Sequence, residues 1–170
     1  MSICEECAKI QKTCCERNDI RIGLTNGDIE RIALFAACED FYEGKALEEE
    51  FRGKYANPSR YDEGEYIYVT CLFDDEGRWN VMKRNENQGC WFITPTGCSL
   101  PPEVRPLMCR IYPYDWNDQQ EIWINGTYCL ASLFTDNEDL AKKVALPPEE
   151  AKRLVKLFYE EIMAGKAQGF

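Results

Sequence analysis

Residues 89–113 read Gly89-Cys90-Trp91-Phe92-Ile93-Thr94-Pro95-Thr96-Gly97-Cys98-Ser99-Leu100-Pro101-Pro102-Glu103-Val104-Arg105-Pro106-Leu107-Met108-Cys109-Arg110-Ile111-Tyr112-Pro113. Three cysteines stand in this stretch, and Arg105 and Arg110 bracket the third. Its prolines and glycines predict turns rather than long regular elements, because proline fixes φ and removes a donor while glycine admits positive φ. A second cysteine cluster, Cys4, Cys7, Cys14 and Cys15, lies toward the N-terminus. The two clusters are expected to meet around metal, with the rest of the chain supporting that meeting.

Composition narrows the field. The chain has 170 residues, 45 % of them hydrophobic, enough for one domain with its own core and no need of staples. The formal charge of −10 argues against nucleic acid and against an anionic membrane surface, since both recruit basic faces. No basic-then-apolar leader follows Met1-Ser2-Ile3-Cys4, and no apolar run nears the roughly 20 residues that span a bilayer. The expected compartment is the cytoplasm, where thiols stay reduced and clustered cysteines read first as metal ligands. With ten cysteines and no histidine, any metal must be held by thiolates, with carboxylate or water as minor ligands. Such donors favour zinc, iron–sulfur clusters or copper(I).

Upstream of the central stretch, Cys4-Glu5-Glu6-Cys7 has the spacing of a zinc half-site or a redox pair. Adjacent Cys14 and Cys15 would point to opposite faces of extended backbone, so only a turn lets both reach one centre. Thr25 with Asp28 three residues on predicts a capped helix start, with Leu24 and Ile29 as the hydrophobic staple. Ile29, Ile32, Ala33 and Ala36 continue that helix, and Cys38 near its end reads as a small buried apolar residue. A short helix is expected around 46–55. Tyr66-Ile67-Tyr68-Val69-Thr70-Cys71-Leu72-Phe73 reads as a strand by composition, with Cys71 packed inside it. It would turn at 74–77 and pair with a return strand at 78–83. Downstream, Pro101-Pro102-Glu103 predicts a helical turn leading to Cys109, and 121–124 a strand. Pro147-Pro148-Glu149-Glu150 predicts a helix over about 147–164, with Ala151, Leu154, Val155, Phe158 and Ile162 as its buried stripe and Gly165 as its end.

Cys4, Cys7, Cys14, Cys15, Cys90, Cys98, Cys109 and Cys129 make eight candidate ligands, enough for two four-thiolate centres or for one centre and spare thiols. A four-thiolate centre is anionic, and Arg105 and Arg110 are placed to compensate it by charge and by N–H donation toward sulfur. Pairing of the same arginines with Glu103 or Asp115 is an equal alternative. The spacing names no metal: neither ferredoxin pattern is present, nor the two tight CxxC pairs of a zinc ribbon.

The segments Cys-Glu-Glu-Cys with Cys14-Cys15, Gly97-Cys98-Ser99-Leu100 and Arg105-Pro106-Leu107-Met108-Cys109-Arg110-Ile111-Tyr112-Pro113 resemble the YkgJ family. These are small prokaryotic cysteine-cluster proteins described as putative zinc- or iron-chelating domains. The resemblance covers about 4–130, and Arg-Pro-x-x-Cys-Arg-x-Tyr-Pro is its most specific part. It implies Cys4, Cys7, Cys14 and Cys15 as the first ligand group and Cys90, Cys98, Cys109 and Cys129 as the later one. It also implies a role for Arg105 and Arg110. The chain departs from the family in the six residues between Cys7 and Cys14, and in Leu100-Pro101 where Ile-Tyr is usual.

The sequence therefore predicts an α+β fold in a single 1–170 domain, with short strands and hairpins, flanking helices and cysteine-bearing loops around a metal site. The expected function is non-enzymatic metal binding, of zinc or a 4Fe–4S iron–sulfur cluster, in a structural, carrier or sensor role. The alternatives are an iron–sulfur-dependent enzyme or redox component, and a disulfide-stapled interaction domain.

Overall fold

A computed structural model describes residues 12–17, 20–46, 66–74, 76–125, 140, 142 and 146–168. The fold is α+β. A 3-10 turn, Cys14–Glu16, precedes helix α1, Asn26–Ala36, and strand β1, Tyr42–Ala46. Helix α2, Tyr66–Leu72, leads to β2, Arg78–Met82, and then to the short strands β3, Ile93–Thr94, and β4, Gly97–Cys98. Helix α3, Leu107–Ile111, precedes β5, Tyr114–Trp116, and β6, Ile122–Ile124, and helix α4, Pro148–Gln168, closes the described chain.

The strands form three antiparallel pairs. β1 pairs with β2, Tyr42 facing Met82 and Ala46 facing Arg78, and a single bridge from Gly23 to Val81 extends the ribbon. β3 and β4 close a hairpin in which Ile93 faces Cys98. β5 and β6 close another, with Tyr114 facing Ile124.

Helix α1 starts as its sequence dictates. Thr25 Oγ1 accepts from the Asp28 N–H at 2.9 Å, and Asp28 Oδ2 accepts from the Thr25 N–H at 3.1 Å. Leu24 is buried and Ile29 packs beside it in the same cluster, as a staple should. The helix ends at Ala37 in the left-handed region, φ 48°. Cys38 beyond it is only partly buried and belongs to neither core cluster, so the expectation of a buried apolar cysteine is corrected. Its sulfur accepts the Asp40 N–H at 3.4 Å.

The predicted strand at 66–73 is a helix instead, and the predicted hairpin with 78–83 does not form. β2 is present but pairs with β1. Tertiary packing overrides the β-branched and aromatic composition here. Ile67 and Cys71, one helical turn apart, both pack on the cluster built around α4. Asp118 accepts the Ile67 N–H at 2.7 Å and so satisfies one donor that the helix start leaves open. Asp74 makes the expected turn, its Oδ1 accepting from the N–H groups of Glu76 and Arg78. The helix expected around 46–55 lies, but for Ala46, outside the described residues; Ala46 itself ends β1.

Two hydrophobic clusters result. The first gathers Leu72, Phe73, Leu107, Ile111 and Tyr114 against the α4 stripe of Ala151, Leu154, Val155, Phe158 and Ile162. All five predicted stripe residues are buried. α4 runs on through the predicted stop at Gly165 to Gln168. The second cluster gathers Ile22, Leu24, Ile32, Phe41, Met82, Cys90 and Leu100. Helix α3 stands between the two: Leu107 and Ile111, one turn apart, face the first, while Cys109 on the opposite side packs against the second. Among the described residues, no helix is long and apolar enough to cross a membrane.

Candidate thiol site

Four of the seven described cysteines meet at the second cluster. Cys90 is one of its buried members, and Cys15, Cys98 and Cys109 are partly buried residues packed against it. Each arrives on a different local device. The 3-10 turn at Cys14–Glu16 is closed by Thr13 and Glu16 in a capping box, with the Glu16 carboxylate accepting the Thr13 N–H at 2.8 Å. From that turn the Cys15 carbonyl accepts the Cys90 N–H at 2.6 Å, tying the N-terminal segment directly to the central stretch. Gly89 permits this approach: a Cβ there would lie 3.3 Å from the Cys15 carbonyl oxygen and 3.0 Å from an Ile93 methyl. The β3–β4 hairpin then folds Cys98 back, since Ile93 both pairs with Cys98 and donates its N–H to the Cys90 carbonyl at 3.0 Å. Helix α3 supplies Cys109 from the far side.

The turn settles how the adjacent cysteines divide. Cys15 joins the cluster, whereas the Cys14 thiol is directed to Tyr112, whose hydroxyl accepts it at 3.7 Å. Cys4, Cys7 and Cys129 lie outside the described residues. The seven described cysteines are present as thiols. Among the described residues, no three cysteine or carboxylate side chains form a group able to hold an ion.

Burial dominates the electrostatics of Cys109 and Cys90. Burial pushes the Cys109 thiol well above its ordinary value, and the neighbouring Cys15, Cys90, Asp28 and Cys98 push it the same way. Burial also raises Cys90, with Cys98 adding to the rise and the Phe92 N–H and the Arg84 charge opposing it. Arg84 stands directly across an isolated antiparallel bridge from Cys90. It is a cation beside the thiols that the sequence reading did not single out, because nothing in its local sequence indicates that bridge.

The two arginines singled out from the sequence take backbone partners. Arg105 donates from Nε to the Leu100 carbonyl at 3.0 Å, and Arg110 donates to the Glu103 carbonyl at 3.3 Å. Both therefore brace the loop between Cys98 and Cys109. The alternative acid partner Asp115 accepts from the Trp116 N–H and from the Asn125 side chain. Partial burial, with the charges of Arg31 and Arg153 nearby, holds Arg110 below its ordinary value.

Asp28 was legible as a cap and does more. It is fully buried, and its Oδ1 accepts the Leu107 N–H at 2.9 Å as well as an Arg31 N–H at 2.7 Å. Arg31 donates onward to Glu161 of α4 at 3.2 Å, and the Thr25 hydroxyl also donates to Glu161. Burial pushes the Asp28 carboxyl up, against the lowering effect of the Thr25 N–H, Arg31 and the Leu107 N–H. One buried carboxylate thus joins α1, α3 and α4 beside the thiols.

The chain matches no protein-family model, no curated protein and no solved structure.

Proposed function

We propose that this chain binds zinc or an iron–sulfur cluster through clustered cysteine thiolates, in a non-enzymatic structural, carrier or sensor role, as one of the YkgJ-type cysteine-cluster proteins. The observation that carries the reading is that Cys15, Cys90, Cys98 and Cys109, from four separate segments, pack on one hydrophobic cluster with Cys15, Cys90 and Cys98 near enough to act on the Cys109 thiol, although among the described residues no three of them close into an ion-holding group as folded. Sulfur donors without any imidazole suit zinc, which takes four thiolates tetrahedrally, and equally suit an iron–sulfur cluster. The proposed ligand set is Cys4, Cys7, Cys14, Cys15, Cys90, Cys98, Cys109 and Cys129, of which Cys4, Cys7 and Cys129 lie outside the described residues and Cys14 would have to leave the Tyr112 hydroxyl to take part. Arg84 beside Cys90 supplies a positive charge against the anionic centre.

Ligation requires thiolates, and burial holds Cys90 and Cys109 in the neutral form. A bound cation reverses that preference, so loading releases protons and weakens as pH falls. The experiment is a serine series on protein purified without oxygen, with metal measured per chain. C15S, C90S, C98S and C109S are expected to lower metal content, and C38S to leave it at the wild-type value. Equal metal content in all five variants would refute the proposed site.

A further inference from the structure

We infer that Asp28 is a positioning residue for Cys109: through the Leu107 N–H it fixes helix α3 against α1 and thereby sets where the Cys109 sulfur sits among the other thiols. The inference rests on the thiolate reading of this site for its purpose, while its geometry stands on the fold alone. α3 has five residues, too few to hold its place by helical hydrogen bonds, because the first four N–H groups of any helix lack internal partners. Its preceding residue, Pro106, offers no side-chain cap. The first N–H of α3 is answered instead by Asp28 Oδ1 at 2.9 Å, from a residue distant in sequence. That carboxylate cannot drift. It is fully buried, and it is pinned by the Thr25 N–H at 3.1 Å and by Arg31 at 2.7 Å. Cys109 lies two residues past the anchored amide and faces away from the apolar contacts of Leu107 and Ile111. Those contacts fix how the helix packs on α4, whereas the Asp28 bond also sets its position relative to the thiol cluster.

The fold contains a matched control. Asp118 answers the Ile67 N–H of α2 at 2.7 Å and also accepts from the Tyr159 hydroxyl at 2.9 Å. It too caps a short helix from a remote position, but that helix carries none of the clustered thiols.

The test compares D28A, D28N and D118A in the full, reduced, metal-free chain. Iodoacetamide labelling of Cys109 is followed by peptide mass spectrometry at matched fractions folded. D28A is expected to speed Cys109 labelling by about tenfold, the scale of losing one helix cap. D28N keeps an amide oxygen for the Leu107 N–H, though its NH2 cannot accept from the Thr25 N–H, and should restore most of the protection that D28A loses. D118A should leave Cys109 as protected as in wild type. If D28A does not fold, D28S replaces it, its hydroxyl being too short to reach Leu107. Equal acceleration in the Asp28 and Asp118 variants, or none in either, overturns the inference. In a parallel zinc titration, D28A is expected to weaken binding by about 10- to 100-fold and D118A to leave it unchanged. A wild-type chain that takes up no zinc and no iron would sink the metal reading, and the labelling result would still decide the positioning of Cys109.

Discussion

The carboxylate of Asp28 in α1 accepts the backbone N–H of Leu107, the first residue of α3, at 2.9 Å, and the same oxygen accepts Arg31 at 2.7 Å. Removing it leaves the Thr25 and Leu107 backbone donors without that acceptor and takes from Arg31 one of its two carboxylate partners, Glu161 remaining. D28A is expected to destabilise the fold by about 3 kcal/mol, the low end for breaking a buried pair, since Arg31 remains partly exposed. The midpoint of urea unfolding measures this, and a loss below about 0.5 kcal/mol, the size of an ordinary surface change, would contradict the buried node.

The apolar stripe of α4 carries the first cluster, and Phe158 sits at its centre, stacked edge-on with both Trp116 and Tyr159. F158A is expected to cost about 3–5 kcal/mol, transfer loss and cavity together. Thermal or urea unfolding reads it. An exposed neighbour such as Lys156, changed to alanine, should move the midpoint by no more than about 0.5 kcal/mol.

Alkaline pH should unfold the metal-free protein preferentially. Cys90 and Cys109 have folded values raised above the unfolded thiol value of 9.0, chiefly by burial. The unfolded chain therefore loses its thiol protons first, and the folded state binds more protons over the window above that value. Their contribution is fully present below the unfolded value and is lost as pH rises through the folded values. Stability of the apo chain should fall from about pH 9 upward, and C90S should flatten the decline. A stability curve that rises over that interval would contradict the assignment.

Arg84 faces Cys90 across a backbone bridge and opposes the rise of its thiol value. R84Q is expected to shift the pH dependence of Cys90 alkylation upward and leave that of Cys38 unmoved. An unchanged Cys90 profile would mean that the Arg84 charge does not reach the sulfur.

Much of this was legible in the sequence because local chemistry decided it. The Thr25–Asp28 box, the α4 stripe and the strand at 122–124 follow from patterns within one turn or one strand. The helix at 66–72 was not legible, since its residues have strand composition and what holds them helical is packing on α4 and the remote carboxylate of Asp118. The same limit applies at the thiols. The sequence nominated Arg105 and Arg110 by adjacency, and they brace loop carbonyls, whereas Arg84 reaches Cys90 through a bridge that spacing does not reveal. The division between Cys14 and Cys15 needed the turn itself, which sends one thiol to Tyr112 and the other into the cluster.

The proposed metal centre on the clustered thiols is read out most simply by elemental analysis with a visible absorption spectrum, on the wild-type chain purified without oxygen. Bound metal is expected: either zinc with no visible colour, or iron with acid-labile sulfide and thiolate-to-iron charge-transfer absorption. A chain that carries neither zinc nor iron, takes up neither on reconstitution, and has its cysteines oxidised in pairs would contradict it.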